Sequence, residues 1–394
     1  MATYLDHAAS TPLRPEARDA WVAASELVGN ASSVHGAGQA LRRLLEDSRE
    51  RIAATLGCDP IEVVFTSGGT ESVNLAIQGL WHARAVGRNT IVLPDGEHHA
   101  SLDTVAWLAK TQRAEVRSVA LLPDGRIDVD AFRRTLPDAA LATALFANNE
   151  VGTINPVADL ASAATDANVP LHLDAVGAVA HLPIDFAALR GGHRAPTGLV
   201  ALSISGHKVG APVGTGALVV SRLAKLEALL HGGGQQRGLR SGTQDVAGAA
   251  ALAIALERSA SDRDVETPRL TALAERLRRG IRSAVPDAAF LGAEHDRLPG
   301  HVHVLFPGAL GETLLFLLDQ RHVHVSTGSA CQAGVTEPSH VVLALGRDER
   351  DARSVLRITL GRTTTGADVD RLLEALPDAY ARAVASSARG AARS

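Results

Sequence analysis

The chain has 394 residues, enough for a large domain and a smaller companion, with 46% apolar residues, 21% charged residues and a net charge of −4. Those proportions exclude a disordered chain, and the interspersed acids and arginines exclude a basic nucleic-acid surface or a polybasic membrane patch. No apolar run reaches the length of a membrane span and no charged-then-apolar leader opens the chain, so a cytoplasmic protein is expected.

In chain order, a short polar arm, Tyr4-Leu-Asp-His-Ala-Ala-Ser-Thr-Pro-Leu, precedes a helix predicted over 15–27. Turn residues from Gly29 then lead into an amphipathic helix over 37–57. His35-Gly-Ala-Gly has a glycine pattern but no strand before it, so it is not a dinucleotide fingerprint. Cys58 lies in the helix-to-strand turn Gly57-Cys-Asp-Pro and reads as a half-buried structural thiol. The only other cysteine is Cys331, too few for a disulfide framework and fitting for a reducing compartment.

Glu62 to Ser67 reads as a strand, and Gly68-Gly69-Thr70 opens the next helix. Such a loop presents backbone N–H groups at the positive end of a helix dipole, with the Thr70 hydroxyl as a further donor, and so suits a phosphate. No Gly-Lys-Ser/Thr follows, so it is not a P-loop; a helix capped by Thr70 is the plain alternative. A strand over 89–93 leads to Glu97-His98-His99, where His98 is placed to stack on a flat ring, to move a proton or to cap a helix. Strands over 141–147 and 170–174 end in Asn148-Asn149-Glu150 and in Asp174. Strands that alternate with helices and deliver polar residues at their carboxyl ends describe an α/β fold with a mostly parallel central sheet.

Leu199 to Lys208 is an apolar strand ending on Ser203, Ser205, His207 and Lys208. The chain has three lysines against 36 arginines, so a lysine kept at a buried strand end stands out. Unlike arginine, lysine offers a primary amine whose pKa falls on burial and which forms a Schiff base with a carbonyl; an ordinary surface lysine is the alternative. A strand over 216–220, a helix near 222–230 and a glycine-rich, donor-rich loop over 231–243 follow. The loop suits an anion or a partner subunit. After a helix over 244–259, the charged segment 261–268 is the best boundary between a large domain, 15–260, and a smaller α+β domain made of 1–14 and 261–394.

In that smaller domain His-Val-His-Val occurs at 301–304 and 322–325. Alternate histidines on strands share a face, but no carboxylate or cysteine completes a usual ligand set, so no metal is expected. Cys331 follows Ser326-Thr-Gly-Ser-Ala, small residues around which a thiolate would be accessible; an incidental loop cysteine is the alternative. Arg357, inside the apolar strand starting at Val355, must pair with an anion, either an internal carboxylate or that of a substrate.

Together these residues are the components of a pyridoxal 5'-phosphate site. Lys208 takes the aldehyde, the Gly-Gly-Thr loop with Ser205 and His207 takes the phosphate, Asp174 keeps the ring nitrogen protonated, and His98 covers the ring. The chain also resembles the cysteine desulfurases of the NifS/IscS type, among the class V aminotransferase-like, fold-type I enzymes. The resemblance runs through Tyr4-Leu-Asp-His-Ala-Ala, Phe65-Thr-Ser-Gly-Gly-Thr-Glu-Ser, Glu97-His-His-Ala, Asn148-Asn-Glu-Val-Gly, Ser205-Gly-His-Lys, Arg240-Ser-Gly-Thr, Ser326-Thr-Gly-Ser-Ala-Cys and Leu356-Arg-Ile-Thr-Leu-Gly-Arg.

That resemblance implies removal of sulfur from L-cysteine to give L-alanine and a persulfide on Cys331. Acceptors would be an iron–sulfur scaffold or a tRNA or cofactor thiolation protein. It implies a homodimer, with Thr243 reaching the partner subunit's phosphate. Lys208 would hold the cofactor, His98 would stack and move protons, and Gly69, Thr70, Ser205, Gly206 and His207 would surround the phosphate. Asn149, beside the cofactor, and Arg357 would hold the substrate carboxylate. One departure stands out: Gly177 occupies the position where the family usually has a glutamine hydrogen-bonding the cofactor's phenolic oxygen. A selenocysteine lyase or a cysteine C–S lyase on the same scaffold, and a catalytically silent sulfur-relay scaffold, are the other readings.

Overall fold

The computed structural model describes residues 2–328, 331–332 and 335–391. After β1 (Thr3–Tyr4) come β2 (Val63–Thr66), β3 (Thr90–Pro94), β4 (Glu115–Val119), β5 (Leu141–Leu145), β6 (Pro170–Asp174), β7 (Gly198–Ser205) and β8 (Gly216–Val220). Strands β2 to β8 form one sheet in the order β2-β8-β7-β6-β5-β3-β4. The five from β4 to β7 are mutually parallel, while β8 runs antiparallel to both β7 and β2. Most of these strands are apolar along their length because helices cover both faces.

The covering helices are α1 (Pro15–Ser25), α2 (Gly36–Leu56), α3 (Gly69–His82), α4 (His99–Gln112), α5 (Val129–Thr135), α6 (Val157–Asp166), α7 (Phe186–Arg190) and the single turn α8 (Gly206–Val209). On one face Leu171, Leu173 and Leu202 pack with Leu160 of α6. On the other, Ile91, Leu141 and Leu218 pack with Ile77 of α3 and Leu108 of α4.

The helix expected over 244–259 does not stop there. It is α9 (Val246–Ala284), which runs through the charged segment 261–268 with Pro268 inside it. Leu252 and Leu256 join the sheet core, while Leu277 and Ile281 join a second core. The charged residues read as a domain boundary are held in the helix by their partners and not by propensity. They are tied down by Glu266–Arg269 at 2.7 Å along the helix and Arg14–Asp262 at 2.7 Å. The junction between the two cores is therefore a bridging helix and not an exposed linker.

No helix forms over 222–230. Leu226 and Leu229 pack against the sheet, the Glu227 N–H donates to the Gly79 carbonyl at 3.1 Å, and Leu230 bridges to Arg240. Tertiary contacts override the local helix preference of that stretch.

The remaining elements are β9 (Ala289–Leu291), β10 (His301–Leu305), α10 (Gly311–Asp319), β11 (Val323–His324), β12 (Cys331–Gln332), β13 (Val335–Thr336), α11 (His340–Ala344), α12 (Glu349–Ala352), β14 (Val355–Thr359) and α13 (Gly366–Ala391). Strands β14, β10 and β9 form an antiparallel sheet, and β1 pairs with β11. The N-terminal arm crosses to this side: the Thr359 N–H donates to the Leu5 carbonyl at 2.8 Å, and Leu5 is buried in the second core. The two histidine repeats sit on different sheets. His303 lies opposite Arg357 on β14, whereas His324 pairs beside β1 and His322 occupies a turn at φ 58°. Among the described residues, no helix is long and apolar enough to cross a membrane.

Candidate active site

The carboxyl ends of β5, β6 and β7 and the turns before α3 and α4 surround a cavity of about 450 Å³, within the roughly 300–1,000 Å³ usual for small-molecule sites. Gly69, Thr70, Ser205 and His207 line its β2–β7 side. His98, Asn149, Asp174, Lys208 and Arg357 complete it. Nine of the predicted site residues, far apart in sequence, thus share one space. Gly206 does not line it. That glycine is buried beneath, its N–H donating to the Thr215 carbonyl at 2.9 Å, and a Cβ there would meet Thr215 Oγ1 at 2.1 Å.

Strand β7 ends at Ser205, so Lys208 stands on the following turn α8 and not on the strand itself. Its Nζ donates to the carbonyl of Ala8 and, at 2.9 Å, to that of Ala9. It lies between the main cavity and a smaller adjoining one. Desolvation first, then the Arg357 charge, brings its amine down to about 8, against the opposing pull of Asp6 and Asp174. A neutral, nucleophilic amine is therefore well populated near neutral pH, which an exposed lysine would not offer.

Asp174 ends β6 and is 3% exposed. Burial raises its carboxyl to about 6, even though Oδ1 accepts the Val176 N–H at 2.9 Å and Lys208 lies nearby. Opposite, α3 starts directly after β2, and its first-turn N–H groups have no acceptors within the helix. Close packing shapes this turn. A Cβ on Gly69 would lie 2.7 Å from Val176 Cγ2, and one on Gly216 would lie 2.6 Å from Gly68 Cα. Ser205 adds a buried hydroxyl, and its side chain makes no cap bond of its own. A primary amine, a carboxylate and a helix N-terminus with adjacent hydroxyls around one cavity fit pyridoxal phosphate.

His98 caps α4, its Nδ1 accepting the Ala100 N–H at 3.0 Å. Desolvation and then Lys208 push its pKa down to about 4, so the ring is neutral and carries its proton on Nε2. Capping and facing the cavity are both realised. Arg357, 6% exposed, donates through Nη2 to Asp6 Oδ1 at 2.9 Å and through Nη1 to the Asn149 carbonyl at 3.0 Å. Of the two anions considered for it, the internal carboxylate is in place. Among the described residues, Arg357 Nε and Asn149 Oδ1 are buried without hydrogen-bond partners, so polar capacity remains on this side.

Sequence reasoning missed Asp6 and Glu97. Asp6 is the counter-ion of Arg357, 351 positions away. Glu97 is 1% exposed, and its Oε1 accepts the Leu145 N–H at 2.7 Å. Burial foremost, with Asp174 adding to it, raises this carboxyl to about 8. The only hint in the sequence was its position immediately before His98. At Gly177, which also lines the cavity, an added Cβ would find only the Ala147 carbonyl, at 3.7 Å. Packing therefore does not demand glycine there.

Thr243 is exposed and does not line the cavity of its own chain. Cys331 has its backbone in β12, paired with β13, where an irregular loop was expected. Its side chain lies outside the described residues. Cys58 is half-buried, and burial, aided by Glu62 and Asp59, pushes its thiol up to about 12.

Comparison with known proteins agrees with this geometry. The family model described as "Aminotransferase class-V" matches residues 3–372. A Mycobacterium tuberculosis protein named IscS-like cysteine desulfurase is 45% identical over 399 aligned residues, covering 99% of this chain and 100% of that one. The solved structure of a NifS-like protein superposes with a TM-score of 0.89 at 30% identity, covering 97% of this chain and 100% of that one. SspA in complex with cysteine matches with a TM-score of 0.77 at 31% identity, over 91% of this chain and 98% of that one. The cavity at the sheet's carboxyl edge and these likenesses lead to one conclusion: the chain belongs to the aminotransferase class-V family, with the cysteine desulfurases of the NifS/IscS type.

Proposed function

We propose that this cavity binds pyridoxal 5'-phosphate and removes the sulfur of L-cysteine, releasing L-alanine and leaving a persulfide on Cys331. The observation that carries the reading is Lys208, whose amine is brought down to about 8 in the same cavity as Asp174 and the N-terminus of α3. When bound, the cofactor supplies an aldehyde for an amine and a ring that accepts negative charge.

The chain's own residues do the rest. The first-turn N–H groups of α3 with Thr70, Ser205 and His207 hold the phosphate, and Thr243 of a second copy completes that site in a homodimer. Asp174 would hold the protonated ring nitrogen of the cofactor, and His98, which carries its proton on Nε2, would cover the ring and move a proton. Asn149 and Arg357 hold the substrate carboxylate. Lys208, as a neutral amine, would accept the Cα proton of the substrate. The Cys331 thiolate would attack the substrate sulfur; the electron pair of the broken carbon–sulfur bond remains with the carbon that becomes alanine, and the sulfur stays on Cys331. An acceptor protein of iron–sulfur assembly or of thiolation chemistry then takes it.

The test is alanine formation by the cofactor-loaded protein given L-cysteine. Wild type forms alanine and, with reductant present, sulfide, whereas Cys331→Ser forms no alanine. Undiminished alanine from Cys331→Ser would instead identify a selenocysteine-lyase type of reaction that needs no protein thiol, and pyruvate with sulfide in place of alanine would identify a C–S lyase.

A further inference from the structure

Glu150 lies next to Asn149 yet has no part in the reaction described above. It is 1% exposed in a turn whose backbone is fixed by Asn148, whose Oδ1 accepts the N–H groups of Glu150 at 2.9 Å and Val151 at 3.0 Å. A carboxyl so deeply buried is costly unless it holds something. What it meets are the two ends of the segment that bears Cys331. On the incoming side is Gly328, at φ 90°, where an added Cβ would lie 3.0 Å from Glu150 Oε2 and 3.3 Å from its Cδ. On the outgoing side is the fully buried Ser339, whose hydroxyl donates to the same Oε2 at 2.5 Å and accepts the Val342 N–H at 3.1 Å, capping α11. Both ends are fastened further to the site. Ser326 and Arg357 exchange backbone hydrogen bonds at 3.1 and 2.7 Å, and His340 Nε2–H donates to the Glu97 carbonyl at 2.9 Å.

We propose that Glu150 is a positioning residue for Cys331, packed against Gly328 at one end of the thiol-bearing segment and hydrogen-bonded to Ser339 at the other, so that both ends are held at the turn that carries Asn149. The role rests on reading Cys331 as the sulfur acceptor.

Two measurements on the cofactor-loaded protein test it: kcat and KM for alanine formation from L-cysteine, and the rate of iodoacetamide alkylation of Cys331 without substrate. Cys58 stays silent to the reagent at neutral pH because its thiol is pushed up to about 12, and Cys331→Ser supplies the blank. Glu150→Ala and Ser339→Ala each lower kcat roughly tenfold, the effect of one lost buried hydrogen bond, with KM little changed. Both speed alkylation, because the thiol-bearing segment is released. The double variant is no worse than Glu150→Ala alone, as for two partners in one contact. Glu150→Gln, which keeps an acceptor oxygen for Ser339, recovers most of kcat and the wild-type alkylation rate.

Unchanged alkylation in both alanine variants, additive losses in the double variant, or a Gln variant no better than Ala would overturn the proposal. If Glu150→Ala does not fold, Ser339→Ala, which removes only a hydroxyl, carries the test. A wild type that makes no alanine would refute the desulfurase reading, and the alkylation rates would still report on the positioning.

Discussion

Lys208 and Arg357 are the two cations of the cavity, and the Arg357 charge raises the cost of charging Lys208. Only the lysine can respond by losing its proton near neutral pH, since a guanidinium stays charged. Arg357 is anchored instead by Asp6 at 2.9 Å and by the Asn149 carbonyl, so the arginine is a fixed charge and the lysine a titrating one. Gly177 adds to this asymmetry: no side chain at that position donates toward the lysine side of the cavity, although an added Cβ would fit. The lysine was legible in the sequence because it broke an arginine habit, and Asp174 because it closed an apolar strand. Asp6, Glu97 and Glu150 were not, because their roles depend on partners that meet only in the folded chain. Ser339 reaches Glu150 across 189 positions and Leu145 reaches Glu97 across 48, distances over which local spacing carries no information.

At the scale of elements, the turn proposed to hold the phosphate depends on how closely β8 passes beneath it. A Cβ on Gly216 would lie 2.6 to 2.9 Å from three backbone atoms of Gly68, so Gly216→Ala must displace the turn that opens α3. Backbone cannot swing aside as a side chain tip can, and overpacking of this kind costs roughly 1–3 kcal/mol. Gly216→Ala is expected to weaken retention of pyridoxal phosphate at least roughly tenfold while preserving far-ultraviolet circular dichroism. Equilibrium dialysis against the cofactor measures this, and unchanged affinity would show that the turn is not the phosphate cradle. Most strands and long helices were legible from apolar runs and periodicity. The exceptions have physical causes. Residues 222–230 have helix-forming side chains but dock as an irregular segment, and α9 continues through charges that looked like a linker. Lys208 stands on a single helical turn too short to leave a periodic signal.

For the whole molecule, seven histidines with lowered pKa values determine its response to acid. His7, His98, His181 and His207 are pushed down to about 4, His172 and His303 to about 3, and His301 well below its usual value, in each case chiefly by burial. A histidine whose folded pKa lies below its unfolded value of 6.5 stabilises the fold above that pH and withdraws the stability as pH falls. Across that window the unfolded chain binds the proton and the folded one does not. For a fully buried ring such as His172 this amounts to about 1.4 kcal/mol per pH unit. Glu97, Asp174 and Glu150, raised by burial, act in the opposite sense, but seven histidines outnumber three carboxyls. Melting temperatures of cofactor-free protein are expected to fall steadily from pH 6.5 to 4; a flat or rising trend would mean that these rings are solvated. The α/β class and the placement of the site at the sheet's carboxyl edge were readable from strand–helix alternation, and residues 1–14 were assigned to the smaller domain, whereas the pairing of β1 with β11 was not readable. The account depends most on where the sulfur goes, and peptide mass mapping after exposure to L-cysteine without reductant locates it. The account predicts one added sulfur on the Cys331 peptide and none on Cys58; an unmodified Cys331 peptide while alanine accumulates, or sulfur on Cys58, would contradict it.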